Sequence, residues 1–332
     1  MPDRVLLVLA TSTGGVGRHV QSLAAGLVQH GFSVTVAGPA GTGRGFAFPT
    51  FVDVEIGVRP HPVRDLRALL ALRQLAAGVD VVHAHGLRAS SLAVLGRGPV
   101  VTSWHNAVGG RLGAALERLV ARRSAVVLAA SPDLAARART AGGRDVRAGP
   151  VAAPPLRSTG DDPGLGAPLV LAVGRLHPQK GYDTLLAALP LFGDAVVAVA
   201  GDGPLEGALR AAAPQVRWLG QRNDVADLLV AADVVVLPSR WEARSLTAQE
   251  ALRAGRPLVA TAVGGTPELV RDGAVLVPPG DARALGLAVR ALLDDPAAAA
   301  AVAARGHAVA ATWPTEDDTV DQVAALYREL LG

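Results

Sequence analysis

Short, unbroken apolar runs alternate along this chain with longer stretches in which apolar residues recur every three or four positions. The runs at 5–10, 32–37, 80–86, 99–103 and 125–130 are rich in valine, leucine and alanine. They do not alternate with polar residues, as strands buried on both faces do not. The stretches at 18–30, 64–77 and 111–123 read as helices, with Arg64, Arg67 and Arg73 on the wet side of the second. One segment departs from the rhythm: 38–62 is rich in glycine and proline and is expected to hold only a short strand near 52–58. Ser131-Pro132 is expected to cap a helix. Between 149 and 168 the periodicity stops and five prolines and four glycines accumulate, which marks a domain boundary. The alternation then restarts, with strands at 169–173, 195–200, 216–219, 234–237 and 257–261. Helices are expected at 182–189, 205–212 and 224–231, the last capped by Asn223-Asp224. Alanine-rich helices at 283–293 and 296–311 and a final helix at 315–331 close the chain. Repeated strand–helix alternation predicts an α/β fold of doubly wound parallel sheets. The expected division is residues 1–152, a linker at 153–167, and residues 168–314.

Composition sharpens this picture in three places. A length of 332 residues suits two domains, and half the residues are apolar although only 3% are aromatic. No apolar run reaches the ~18–20 residues of a membrane span. The first run is too short and too strand-like for a signal peptide. The absence of cysteine removes disulfides, thiolate metal sites and a cysteine nucleophile. A cytoplasmic protein is the expectation. The net charge is only +3, yet the isoelectric point is about 10.1, because of the 32 basic residues all but Lys180 are arginine. Arginine bias explains the arginines but not the single exception, so a compact ammonium is expected to be needed there. The arginines are scattered and offer no aromatic stacking platform, so nucleic acid is not an expected partner. The basic helices at 64–77 and 111–123 permit peripheral docking on an anionic membrane, and a solvated basic face accounts for them equally well.

The residues able to do chemistry lie where strands end. Gly174-Arg175-Leu176-His177-Pro178-Gln179-Lys180-Gly181 follows a strand and sets two cations five positions apart, a spacing that suits a diphosphate. Glu242 stands in a loop after another strand, and Glu250 stands eight positions on, inside a helix that Ser245 or Thr247 could begin. That helix start, with the amides of Ser245 and Leu246, is an anion site. Gly264-Gly265-Thr266-Pro267-Glu268 opens a further helix, and Gly201-Asp202-Gly203-Pro204 is a tight turn after a strand. In the first half, Gly14-Gly15-Val16-Gly17 links the first strand to a helix; Val20 fills the third glycine position of a dinucleotide fingerprint, so a nicotinamide site is disfavoured. His83, His85 and His105 end strands, and for each a satisfied buried histidine competes with a ligand role. No HExxH, no cysteine–histidine grouping and no D-x-D occurs, so no metal site is expected. The two glutamates also allow a glycosidase acid/nucleophile pair, which their spacing does not exclude.

Glu242, Glu250-Ala251, Gly255-Arg256-Pro257 and Val263-Gly264-Gly265 together resemble the signature of the retaining glycosyltransferases of GT-B fold, the large family-4 group known as glycosyl transferases group 1. The resemblance runs from Val5 to about Val277. It implies two Rossmann-like domains facing a cleft, with the last helix, 315–332, crossing back onto the first at Trp313-Pro314. It implies transfer of a sugar from a nucleotide-diphosphate sugar, a UDP- or GDP-sugar first, to a small-molecule, glycan or lipid-linked acceptor. No cofactor and no metal are implied. By the same resemblance Arg175 and Lys180 hold the diphosphate, Glu250 the ribose, and Glu242 and His105 the transferred sugar. Gly203 lies near the base, and Gly15 lets the backbone approach donor or acceptor. The chain departs from the family at Ala243-Arg244-Ser245, where glycines usually follow the first glutamate. Arg244 there is expected to add a cation to the sugar pocket, consistent with an uncommon or anionic donor sugar. A lapsed sugar-nucleotide-binding protein and a sugar-nucleotide 2-epimerase of the same architecture are the alternatives.

Overall fold

The computed structural model describes residues 2–12, 14–96 and 98–332. The described residues divide into two units, Met1–Ala152 with Pro314–Gly332, and Ala153–Trp313. The apolar runs form two wholly parallel sheets. In the first unit, β1 (Arg4–Leu9), β2 (Ser33–Gly38), β3 (Phe51–Asp53), β4 (Val81–His85), β5 (Val100–Trp104), β6 (Val126–Ala129) and β7 (Val146–Ala148) lie in the order β3-β2-β1-β4-β5-β6-β7. In the second, β8 (Leu169–Val173), β9 (Val196–Ala200), β10 (Arg217–Gly220), β11 (Val234–Leu237), β12 (Leu258–Thr261) and β13 (Val275–Val277) lie in the order β10-β9-β8-β11-β12-β13.

The unbroken hydrophobicity of these strands follows from helices on both faces. Leu169 and Leu171 of β8 enter one core cluster with Leu237, Leu252 and Trp313, while Val170 and Ala172 enter another with Tyr182, Leu185 and Val289. Successive side chains of a strand point to opposite faces, so every position must be apolar. In the first unit, Val5, Leu7 and Leu9 pack with Val20, Leu23 and Leu27 of the helix Gly15–Gln29 and with Val320, Val323 and Tyr327 of the final helix Glu316–Leu331. A full capping box starts that last helix: Thr315 Oγ1 accepts from Asp318 N, and Asp318 accepts from Thr315 N.

Several elements differ from the sequence expectation. The segment 38–62 contains the helix Ala40–Gly45, and its strand is Phe51–Asp53 rather than 52–58. The helix Leu87–Ala93 and the strands β7 and β13 are additional. Ser131 and Asp224 stand at helix N-caps but cap neither helix through the side chain. The Ser131 hydroxyl donates to Asp133, and the Asp224 carboxylate is taken by Arg222. Residues 149–168 carry no helix or strand. Asp227 holds part of this segment, accepting from Ser158 Oγ at 2.6 Å and from the amides of Thr159 and Gly160 at 2.7 and 3.1 Å.

In each sheet one pair of neighbouring strands marks where the order reverses, β1/β4 and β8/β11. Chains leaving the carboxyl ends of such a pair diverge to opposite faces and leave a crevice, the place where open α/β sheets bind ligands.

Candidate active site

The loops after β8 and β11 are joined by a set of short contacts. Gln179 O accepts from Arg240 N at 2.7 Å, and Gln179 Nε2 donates to Trp241 O at 2.9 Å. Gly181, at φ +62°, leaves no room for a side chain, since an added Cβ would sit 2.1 Å from Pro238 O. With the loops held so closely, Lys180 Nζ reaches Glu242 Oε1 at 2.6 Å. The same oxygen accepts from Ser239 Oγ at 2.6 Å. Glu242 is 6% exposed. A carboxylate so buried requires both a cation and a hydroxyl to offset its lost hydration. Its backbone is fixed as well, because Glu242 O accepts from Gly265 N at 2.9 Å, and a Cβ at Gly264 would meet that oxygen at 2.0 Å. A glycine at 264 is therefore a requirement of how closely the β12 loop approaches Glu242.

Arg175 lies exposed in the Lys180 loop. That loop is held by the turn after β9: Leu176 N donates to Asp202 O at 2.7 Å, and a Cβ at Gly203 would meet Leu176 O at 2.5 Å. Ser245 caps the helix Leu246–Arg253, its hydroxyl accepting from Ala248 N at 3.2 Å, with no acid in the first turn. Thr247 Oγ1 donates to Val173 O at 3.2 Å, which ties the helix start to the end of β8. Glu250 is buried on this helix, and its neighbour Gln249 accepts from Ala153 N at 3.0 Å. Arg244 lies half-buried with its guanidinium 5.8 Å from the centre of the Trp313 ring. Burial and the Arg253 cation push its pKa down to about 10, with Glu268 acting in the opposite sense.

The first unit gathers histidines at its own switch point. His85 ends β4 and His105 follows β5, with His85 Nδ1 and His105 Nε2 3.2 Å apart and the rings stacked. His19, in the helix that follows β1, meets both rings edge-on, with centroids 5.6 and 5.5 Å away. His83 stacks on His85 at 4.1 Å and is fixed at both nitrogens, Nδ1 to Tyr327 OH at 2.6 Å and Nε2 to Ser103 Oγ at 2.8 Å. Burial lowers His19 to about 4 and His83 to about 3, and it lowers His85 and His105 well below the ordinary imidazole value. Mutual repulsion adds to burial for His83, His85 and His105. The rings are accordingly uncharged at neutral pH.

Comparison with known proteins places both units. Residues 167–295 match the family described as glycosyl transferases group 1, and residues 13–151 match glycosyltransferase family 4. A glycogen synthase of Mycobacterium tuberculosis is 32% identical, the match covering 86% of this chain and 84% of that protein. The chain belongs to the group 1 glycosyltransferases. D-inositol 3-phosphate glycosyltransferase 1 of Catenulispora acidiphila is also 32% identical, over 84% of this chain and 78% of that protein. Among solved structures, Anabaena HepE in complex with UDP and glucose superposes with a TM-score of 0.84 at 19% identity, covering 98% of this chain and all of that one. The glycosyltransferase WaaG superposes with a TM-score of 0.75 at 18% identity, covering 97% and 99%. The two parallel-sheet α/β units are those of the GT-B fold.

In this glycosyltransferase, the residues expected at the second-unit site come from one set of loops and one helix start. Arg175, Lys180 and Gly203 lie in the interlocked turns after β8 and β9, and Glu242, Arg244, Ser245, Leu246 and Glu250 lie between β11 and β12. His105 and Gly15 belong to the first unit. Gly15 is the first residue of its helix, and two positions on, at Gly17, a Cβ would meet the Phe46 ring at 2.2 Å. Ser239, Gln179 and His19 were not expected from the sequence. Ser239 carries no spacing signal, and His19 reads there as one more residue of an amphipathic helix.

Proposed function

We propose that this glycosyltransferase moves a sugar from a nucleotide-diphosphate sugar to an acceptor hydroxyl, with retention at the anomeric carbon and without a metal ion. The observation that carries this reading is the Lys180–Glu242–Ser239 arrangement at the β8/β11 switch point, with Arg175 exposed in the same loop. An ammonium already in place, with a guanidinium on the same loop, can receive a diphosphate and stabilise it as leaving group. The amides of Ser245 and Leu246 add the positive end of a helix with no acid in its first turn. Glu250 binds the ribose and Gly203 lies by the base. Glu242 faces the transferred sugar, with Arg244 tuning the sugar chosen; within the first unit, His105 and the Gly15 turn are the proposed sugar contacts. The bond from anomeric carbon to phosphate oxygen breaks, the acceptor oxygen bonds to the same face, and its proton passes to the departing phosphate.

Supporting the donor class, HepE has been solved with UDP-glucose, and a Corynebacterium glutamicum relative, 34% identical over 45% of this chain, is a GDP-mannose-dependent mannosyltransferase. The test is a melting-temperature panel with UDP, GDP, ADP and TDP in chelator-treated buffer, beside Lys180→Ala and Glu250→Ala. A ligand at ~100 times its dissociation constant adds about 2.7 kcal/mol of stability. One nucleotide should raise the melting point, and both variants should lose the shift. No shift with any nucleotide, or a shift only with added metal, would count against the reading.

No helix among the described residues is long and apolar enough to cross a membrane. The helix Pro62–Ala76 exposes Val63, Leu66 and Leu70 beside Arg64 and Arg67, which supports a cytoplasmic enzyme touching an anionic membrane peripherally to reach a lipid-linked acceptor. Co-sedimentation with anionic but not neutral vesicles, lost in Leu66→Glu/Leu70→Glu, is the expected result. Equal recovery of both proteins in the supernatant would leave that helix as a solvated face.

A further inference from the structure

We propose that His19, His85 and His105 form a binding site for a single divalent transition-metal ion of the zinc type, held through one nitrogen of each ring. The three residues come from three separate elements, a helix and the carboxyl ends of two adjacent strands, and one nitrogen from each lies within 4.8 Å of the others. Nitrogen ligands about 2.0–2.1 Å from a tetrahedral zinc ion stand roughly 3.3 Å from one another. His85 Nδ1 and His105 Nε2, joined by a hydrogen bond, already have that separation at 3.2 Å, and a metal would take the place of the proton between them. Only His19 has to close in, and it is the least buried of the three.

His83 cannot join, because both its nitrogens are engaged by Tyr327 and Ser103, and it forms instead a fixed floor under His85. His85 Nε2 is buried and has no hydrogen-bond partner among the described residues. With Nδ1 on the ion, Nε2 carries the ring proton and faces away from the metal. Three imidazoles select zinc, cobalt or nickel over the oxygen-seeking magnesium and calcium. Three protein nitrogens also leave the fourth position open to water or to a hydroxyl.

This site is not the diphosphate site of the second unit, and turnover does not require it. It has a consequence for turnover all the same. His105 is also the residue proposed to face the transferred sugar, so metal and sugar compete for it. That clause rests on the proposed function; the binding itself does not.

The experiment uses the full chain without a polyhistidine tag, stripped with chelator and titrated with Co²⁺ and Zn²⁺. Cobalt should bind one to one and develop the visible absorption of a four-coordinate nitrogen-rich centre, and zinc should displace it. His19→Gln and His105→Gln should each weaken binding more than tenfold. His30→Gln and His177→Gln, outside the cluster, should leave it unchanged. X-ray absorption of the zinc-loaded wild-type protein should show about three imidazole nitrogens, which keeps the test decisive if a variant misfolds. Absence of saturable binding at 100 µM metal, unchanged binding in both cluster variants, or an oxygen-dominated shell would overturn the proposal.

Discussion

Replacing Lys180 with methionine keeps most of the stem's volume and removes the charge that faces Glu242. The carboxylate, 6% exposed beside Lys180, would then keep Ser239 Oγ as its side-chain donor among the described residues. Removing one member of a buried ion pair costs about 3–5 kcal/mol when the survivor is fully enclosed. Lys180 itself retains 20% side-chain exposure, so water can partly replace it, and the serine bond remains. We therefore expect a loss of about 2–3 kcal/mol for Lys180→Met. Glu242→Gln, which leaves an amide oxygen for both donors, should cost about 1–2 kcal/mol. The double variant should cost less than the sum, with a coupling energy of about 1.5 kcal/mol or more, as for residues in direct contact. Urea unfolding followed by tryptophan fluorescence is the assay, because Trp218, Trp241 and Trp313 all lie in the second unit and Trp241 adjoins Glu242. A coupling energy below about 0.5 kcal/mol would refute the argument, since that is the scatter between independent sites.

Other substitutions test other links. Gly181→Ala should destabilise the second unit by more than about 3 kcal/mol, because the new Cβ combines a left-handed backbone with a contact 2.1 Å from Pro238 O; a melting point within a degree of wild type would show that the loop relaxes freely. Tyr327→Phe should cost about 1–3 kcal/mol by leaving His83 Nδ1 buried and unpaired, read as a lower urea midpoint of the first unit, and an unchanged midpoint would mean that water reaches the ring. The Asp227 carboxyl is held below its usual range, first by the Ser158 hydroxyl and then by Thr159 and Gly160. A pKa lowered on folding contributes stability above the unfolded value of about 3.9 and loses it as pH falls through the folded value. Hydrogen exchange at Thr159 and Gly160, corrected for the intrinsic rate, should therefore accelerate on acidification below about pH 4. Asp227→Ala should exchange fast at every pH, and slow exchange in that variant would show that other contacts hold the segment.

Much of the fold is legible in the sequence because both sheets are sandwiched between helices. A strand buried on two faces is a continuous apolar run, and VLLVLA or VVVL stands out against any neighbouring helix. The elements that escape notice lack that signal. The helix Ala40–Gly45 has three glycines in six residues, which local propensity opposes. It is held instead by tertiary contact, with Thr42 Oγ1 accepting from Ser12 N at 3.0 Å. β7 and β13 are three-residue edge strands, too short for any period to register. The caps at Ser131 and Asp224 mislead for another reason. A nearby group, Asp133 or Arg222, offers the side chain a better partner than the helix amides do.

The site divides along the same physical line. Glu242, Glu250, Arg175 and Lys180 stand out as candidates because charged side chains at strand ends suit diphosphates and hydroxyls, and spacing within one loop is local information. The contact between Lys180 and Glu242 is not local. Sixty-two positions separate them, and they meet only because β11, not β9 alone, lies beside β8. The histidines follow the same rule in the first sheet. His83 and His85 share a face by strand alternation, which the sequence shows, but His19 and His105 join them only once β4 lies between β1 and β5. In both sheets the candidate residues converge where strand order reverses, so those brought together are the ones whose strands are neighbours across a crossover. A chain read residue by residue can name the participants. Which of them touch is decided by sheet order, and sheet order is set by how the crossover helices bury their apolar faces.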